Sequence, residues 1–290
     1  MPGMTTVHTA MWRPSRLRHW LAVLTYPVFL VLNRPSLSWF ADLAYDFALR
    51  CSGIAITFPG KGGLTRSEEN FLRRNRGRFE NGILFDIGAN HGSYALYLSR
   101  LAAGARIYAF EPHPATFAFL DKRMENVGSV EVVNAAMADK PGEMKLYDFR
   151  SEDGSTQASL SASAVALYSA DLVEHTVTCT TVDAFMEKFG LKRIDLLKID
   201  TEGHDLSVMR GAAKALREGL IGMIQFEFIP ANIATGVTMH AIFEALRGYR
   251  IGRMCLNGSV RWLDPYDVKR CEIYVTQNLI AVPQGISHKI

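Results

Sequence analysis

Four short apolar runs constrain this chain more than any other feature: "GILFDIG", "ARIYAFE", "RIDLLKID" and "GMIQFEF". Each has strand length and is almost continuously hydrophobic, the pattern of strands covered on both faces. Helical patterns stand between them. "SYALYLSRLAAG" ends at Gly104, and "ATFAFLDKRMENVG" spaces Phe117, Leu120, Met124 and Val127 for one helix face. "LSVMRGAAKALREG" reads as a further helix, "VEVVNAA" as a third strand, and "GEMKLYDF" as one arm of an insertion. Alternating strands and helices imply an α/β fold with a doubly wound, mostly parallel sheet. Ligands of such sheets bind beyond the carboxyl ends of the strands. The residues that follow the strands are therefore the site candidates: Asp86 to Gly92, Glu111, Asn134 to Ala136, Asp200 to His204, and Glu227.

Of the 290 residues, 48% are hydrophobic, enough for a sizeable core. The net charge of +3 does not imply nucleic acid. Arg66, Arg73, Arg74, Arg76 and Arg78 cluster on one helix, opened by a Thr65-x-x-Glu68 capping pattern, and read as a solvated face. Cys51, Cys179, Cys255 and Cys271 form no CxxC pair, which fits reduced thiols and a cytoplasmic location. "FPGKGG" lacks the first glycine and the hydroxyl residue of a phosphate loop. The chain divides into a helical extension, residues 1–65, and a main domain, residues 66–290. Arg13, Arg16, Arg18 and His19 lead into the uncharged "WLAVLTYPVFLVL", which is too short to span a bilayer and contains Pro27. Residues 12–32 are thus expected to pack on their own domain or a partner subunit, giving an oligomer, to lie peripherally at the inner face of the membrane, or to be a cleaved signal, though "NRPSLSWF" offers no small-residue cleavage site.

The turn "FDIGANHGSYAL" is the most informative segment. Gly88 and Gly92 permit a tight strand-to-helix turn and a close backbone approach to a ligand. The free N–H groups at the helix start favour an anionic group. A dinucleotide site requires GxGxxG, whereas here the pattern is Asp86-x-Gly88-x-Asn90-x-Gly92. The acid at Asp86 repels a pyrophosphate and suits a cationic sulfonium or ammonium. Glu111, at the end of the second strand, is placed to accept both hydroxyls of a ribose. A zwitterionic nucleoside without phosphate, S-adenosylmethionine, satisfies both.

Together "FDIGANHGSYAL", "AFEPHPATFAFL", "VDAF" and "DLLKIDTEGHDLSVMRGA" resemble the FkbM family of S-adenosylmethionine-dependent methyltransferases. The resemblance runs from about Ile83 to Pro283 and leaves residues 1–65 uncovered. It implies a class I methyltransferase fold with an antiparallel last strand. It also implies O-methylation of a hydroxyl on a sugar, glycan, glycolipid or polyketide-like metabolite. By resemblance, Asp86, Gly88, Asn90 and Gly92 form the cofactor loop and Glu111 holds the ribose. Asn134, Ala135 and Ala136 then lie along the adenine. His204 and Asp205 stand where the family more often has Ala-Glu.

An alcohol is a poor nucleophile until a base or a cation helps it. Two schemes are open. In one, Asp200, Glu202 or His204 takes the proton, with Glu227 on the substrate. In the other, Asp200, Glu202 and Glu227 hold Mg²⁺. Asp183 reads as the cap of a short helix, and His91 and His113 as incidental neighbours of the cofactor motifs. The loop "SEDGSTQASLS" either covers the site or is solvated. A nicotinamide-dependent oxidoreductase and a non-catalytic adaptor that keeps the fold are the competing readings.

Overall fold

The computed structural model describes residues 16–151 and 154–285, and Arg13 with the rest of residues 1–15 lies outside them. Two compact units emerge, 1–49 and 50–290, in place of the expected boundary at 65/66. Residues 50–65 belong with the main domain because they are tied into it. Ala55 N donates to Thr276 O at 2.9 Å, Arg253 reaches Ser52 O at 3.3 Å, and Ile54 is fully buried.

In the first unit, α1 (Arg16–Leu32) contains Pro27, and a short turn at Pro35–Leu37 leads to α2 (Ser38–Cys51). Trp20, Leu24, Phe29, Trp39, Leu43 and Phe47 are all exposed. Among the described residues, no helix is long and apolar enough to cross a membrane.

In the second unit the apolar runs become strands. They are β1 (Ile83–Ile87), β2 (Arg106–Phe110), β3 (Val130–Val133), β4 (Ala136–Met137), β5 (Gly142–Phe149), β6 (Leu172–Thr180), β7 (Leu196–Ile199), β8 (Ile224–Phe228), β9 (Tyr249–Met254), β10 (Val260–Trp262) and β11 (Gln277–Pro283). The main sheet runs β10-β9-β11-β8-β7-β1-β2-β3. Strands β8, β7, β1, β2 and β3 are parallel. The last strand, β11, is antiparallel, as expected, and slots between β8 and β9. The order reverses between β1 and β7, so their carboxyl ends form the switch-point crevice. "VEVVNAA" is not one strand: β3 ends in the main sheet, and β4 begins a second sheet with β6 and β5. The helix expected over "LSVMRGAAKALREG" breaks at Ala212 into Asp205–Gly211 and Ala213–Arg217. Asp183 caps the second of these, accepting from Lys214 N at 2.8 Å and Ala215 N at 2.9 Å. The helix that contains Asp183 is capped by Thr181 instead.

The two sheet faces differ. One carries Phe85, Phe110, Leu197, Ile199, Phe226 and Phe228. There Phe85, Phe110 and Phe185 pack with ring centroids 4.9–5.5 Å apart. Each such pair contributes about 0.5–1.5 kcal/mol beyond area burial. The other face is covered by α3 (Arg66–Asn75) and α4 (Ser93–Leu101) and holds Leu84, Leu196, Ile107 and Ile280. Its apolar character fails in one row. Asp86 pairs with Lys198 across β1–β7, and Lys198 pairs with Gln225 across β7–β8. That row lies just below the crevice.

Candidate active site

Gly88 and Gly92 both have positive φ, at +75° and +78°. The close approach they permit is to the protein. A Cβ on Gly88 would stand 1.8 Å from the Asp200 carbonyl oxygen, so β1 and β7 meet at their tips only through glycine. A Cβ on Gly92 would stand 2.4 Å from Leu120 and from Met124, which are on α5 (Pro114–Met124). Asn90 and Glu202 also adopt positive φ, at 46° and 49°, without being glycine. Such residues are uncommon and concentrate at functional turns.

Glu111 is buried and anchored at both oxygens. Asn90 N donates to Oε2 and His113 N to Oε1, each at 2.8 Å. Burial pushes its pKa up to about 7, against the pull of these two N–H groups. The β1 loop and the β2 tip are thereby one rigid unit. Asn90 Oδ1 in turn accepts from His91 N at 2.6 Å. Asn134 donates to Glu111 O at 2.9 Å, which draws the segment after β3 against the same place.

These elements surround a cleft that is partly open to solvent. Gly88, Glu111, Ala135, Ala136, Asp200 and Thr201 line it, and Ala158, Ser159 and Leu160 cover it. The cover is held down from below. Asp148, fully buried, accepts from Gly154 N at 2.7 Å, from Ser155 N at 2.9 Å and from the Ser155 hydroxyl. Ser159 Oγ donates to Glu202 O at 2.9 Å. His113 is structural here: it caps α5 and stands 3.8 Å from Asp148.

A second cavity, also partly open, adjoins the first and shares Gly88, Ala158 and Asp200 with it. Its walls include Glu202 and Glu227, as well as Asn90 and His91. They also include Lys198, Tyr94 and Glu68, none of which the sequence marked for the site, Glu68 having been read there only as a helix cap. The Lys198 ammonium sits 3.3 Å from Asp86 and 3.1 Å from Asp200, 4.9 Å from the centre of the Tyr94 ring. Burial opposes its charge, but Asp200 and Asp86 outweigh that and hold its pKa well above the ordinary lysine value. Asp86 is completely buried, and Lys198 and, more weakly, the Ala95 N–H are what favour its charge. Its pKa is raised by burial, with Lys198 pulling the other way. Tyr94 OH donates to Gln225 Oε1 at 2.6 Å, and Gln225 Nε2 donates to Glu68 Oε1 at 2.8 Å. The sequence did carry a signal for this cluster: Asp86, Lys198 and Gln225 are polar at matching positions of otherwise apolar strands.

The acidic candidates separate by role. Glu202 is raised to about 8 by burial, then by Asp200 and Asp205. Glu227 is raised well above the usual range by burial, then by Asp200, Glu68 and Glu202. Asp205 ties the β7 tip to β8, accepting from Thr201 N at 3.1 Å, the Thr201 hydroxyl, and Glu227 N at 3.3 Å. His204 lines neither cavity. Its Nε2 is buried without a partner, and burial lowers its pKa. The Mg²⁺ set of Asp200, Glu202 and Glu227 is not supported. Among the described residues no three His, Cys, Asp or Glu side chains are grouped to hold a metal. Lys198 already supplies the cation against Asp200.

The arrangement is that of an α/β enzyme with two joined cavities at its switch point. Residues 86–251 match the methyltransferase FkbM domain, and the chain belongs to that family. This sets aside the nicotinamide-dependent alternative. Methyltransferase 1 of Beauveria bassiana is 29% identical over 146 residues, 46% of this chain and 59% of that protein. The hexuronic acid methyltransferase AglP of Haloferax volcanii is 29% identical over 214 residues, 72% of this chain and 80% of that protein. The 2-O-methyltransferase NoeI of Sinorhizobium fredii is 24% identical over 179 residues, covering 58% and 72%. The chain thus spans less than two thirds of the first of these relatives and more of the other two.

Proposed function

We propose that this chain transfers a methyl group from S-adenosylmethionine to a hydroxyl of a sugar, glycan or similarly polyhydroxylated metabolite. The observation that carries the reading is the pair of joined cavities, one backed by Glu111 and the other by the Asp86–Lys198–Asp200 cluster. The residues fit the cofactor. Glu111, fixed at both oxygens by backbone N–H groups, keeps lone pairs for the two ribose hydroxyls. Ala135 and Ala136 leave room for a flat base, while Asn134 lines neither cavity and instead holds this segment through its bond to Glu111 O. The loop Asp86–Gly92 takes the methionine end, with N–H groups of the α4 start toward its carboxylate. S-adenosylmethionine, when bound, supplies an electrophilic methyl on a cationic sulfonium. The unbalanced acids around it suit that charge. The relatives AglP and NoeI, by name a hexuronic acid methyltransferase and a 2-O-methyltransferase, support a sugar acceptor.

In the second cavity Glu202 takes the acceptor proton, with Asp200 and Glu227 orienting the hydroxyl. His204 has no part in this scheme. Binding and alignment of the acceptor against the methyl supply most of the rate. The test is transfer of labelled methyl to a panel of glycosides. Wild-type protein should turn over, and Glu202→Gln should lose turnover while keeping cofactor affinity. An active Glu202→Gln removes Glu202 from the mechanism. A wild-type protein that binds the cofactor and methylates nothing points to the adaptor.

A second reading concerns the first unit. The exposed Trp20, Leu24, Trp39 and Phe47 support a peripheral seat on an anionic membrane surface. Deleting residues 1–35 should then abolish sedimentation with anionic vesicles. Unchanged sedimentation ends that idea.

A further inference from the structure

The second cavity carries more acid than its ammonium can balance. Lys198 is already engaged by two carboxylates, Asp86 and Asp200. Glu68, Glu202 and Glu227 face the same space. Among the described lining residues, the other basic side chain is His91. The start of α4 offers N–H groups to an anion, but in the reading above those meet the carboxylate of the cofactor itself.

Glu68 is the least expected of the three. It lies on α3, before the matched domain begins at residue 86. It does not swing freely: Oε1 accepts from Gln225 Nε2, and Oε2 accepts from Thr65 N and Thr65 Oγ1, each at 2.8 Å. The capping box that starts α3 therefore also fixes a carboxyl group on the cavity wall.

From this charge balance we propose that the acceptor is a hydroxyl-rich ring without negative charge, a neutral or amino sugar, and that Glu68 excludes uronic acids and sugar phosphates. The inference rests on the proposed sugar methylation. The reason is chemical. A carboxyl group, protonated or not, can hydrogen-bond a hydroxyl as donor or acceptor. Toward a second carboxylate an ionised carboxyl group offers repulsion. Burial pushes Glu202 up to about 8 and Glu227 well above the usual carboxylate range, so at neutral pH these two meet a hydroxyl chiefly as hydrogen-bond donors. The family resemblance to a hexuronic acid methyltransferase does not carry over to the acceptor on this account.

The test uses labelled methyl transfer to three matched acceptors at neutral pH: a methyl hexoside, its 2-amino-2-deoxy analogue and the corresponding methyl hexuronide. The expected kcat/KM for the hexuronide is about 100-fold below that for the hexoside, as one added like-charge contact in a partly solvated site implies. Glu68→Gln should raise the hexuronide-to-hexoside ratio by about tenfold, a ratio that does not depend on overall activity. Equal or better use of the hexuronide by wild-type protein overturns the inference and leaves sugar methylation standing. Failure to methylate any of the three, by protein that binds the cofactor, overturns sugar methylation and this inference with it.

Discussion

Replacing Lys198 with methionine removes the positive charge beneath both cavities and keeps most of the side-chain volume. Asp86 is then left fully buried without its counter-charge, with only the weak pull of the Ala95 N–H. At the observed 3.3 Å, the lost attraction is about 5 kcal/mol with an effective dielectric constant near 20. The second contact, to the one-third-exposed Asp200, is screened and adds little. Breaking one side of a buried pair costs about 3–5 kcal/mol in general, so the two figures agree. For a domain of this size each kcal/mol shifts Tm by roughly 2–4 °C, which predicts a fall of roughly 6–20 °C. The defect should also depend on pH. Without Lys198, the pKa of Asp86, already raised by burial, rises further. The folded state then holds that proton more tightly than the unfolded chain. The penalty therefore grows as pH rises above the unfolded carboxyl value of about 4 and is smaller at about pH 5 than at about pH 8. The wild-type lysine contribution is constant over that range, because its folded pKa is raised and it is lost only at strongly alkaline pH. Thermal and urea unfolding at the two pH values measure this. Adding Asp86→Asn to Lys198→Met should recover stability. A single variant as stable as wild type, or one whose defect ignores pH, refutes the reasoning.

Cofactor affinity should rise as pH increases through about 7, because the raised pKa of Glu111 leaves it protonated below that point and able to accept two ribose hydroxyls only above it; an affinity that falls over this range contradicts the assignment. Gly88→Ala places a methyl against the Asp200 backbone, in a conformation that already costs an L-residue about 1–2 kcal/mol, and should abolish cofactor binding with a marked loss of stability. Gly92→Ala meets only the ends of Leu120 and Met124, which can shift, so unfolding should find it the milder of the two. Asp205→Asn weakens the tie between Thr201 and Glu227 and should lower unfolding free energy by about 1–3 kcal/mol.

Much of the fold was legible because β1, β2, β7 and β8 are buried on both faces and therefore continuously apolar. The exceptions have local causes. "VEVVNAA" was read as one strand because its hydrophobicity is unbroken, yet Asn134 turns the chain between two sheets by bonding back to Glu111 O. The helix after β7 breaks at Ala212 because Asp183, distant in sequence, caps a new start there. In the site, residues directly after strands could be found from position alone. Lys198, Tyr94 and Glu68 could not, since α3 and α4 bring them together across the sheet. Lys198 sat inside the recognised "KIDTEG" segment, and its polarity within a buried strand was the available clue. Proximity in sequence misled for His204, which lines neither cavity although Thr201 and Glu202 do.

The central claim is that the turn after β1 and the acid after β2 hold a sulfonium nucleoside. Calorimetric titration of S-adenosylmethionine into the wild-type protein and into Asp86→Ala and Glu111→Ala tests it most directly. Binding by the wild type, lost in both variants while their folds persist, is the predicted result. No binding to folded wild-type protein, or undiminished binding to both variants, contradicts it.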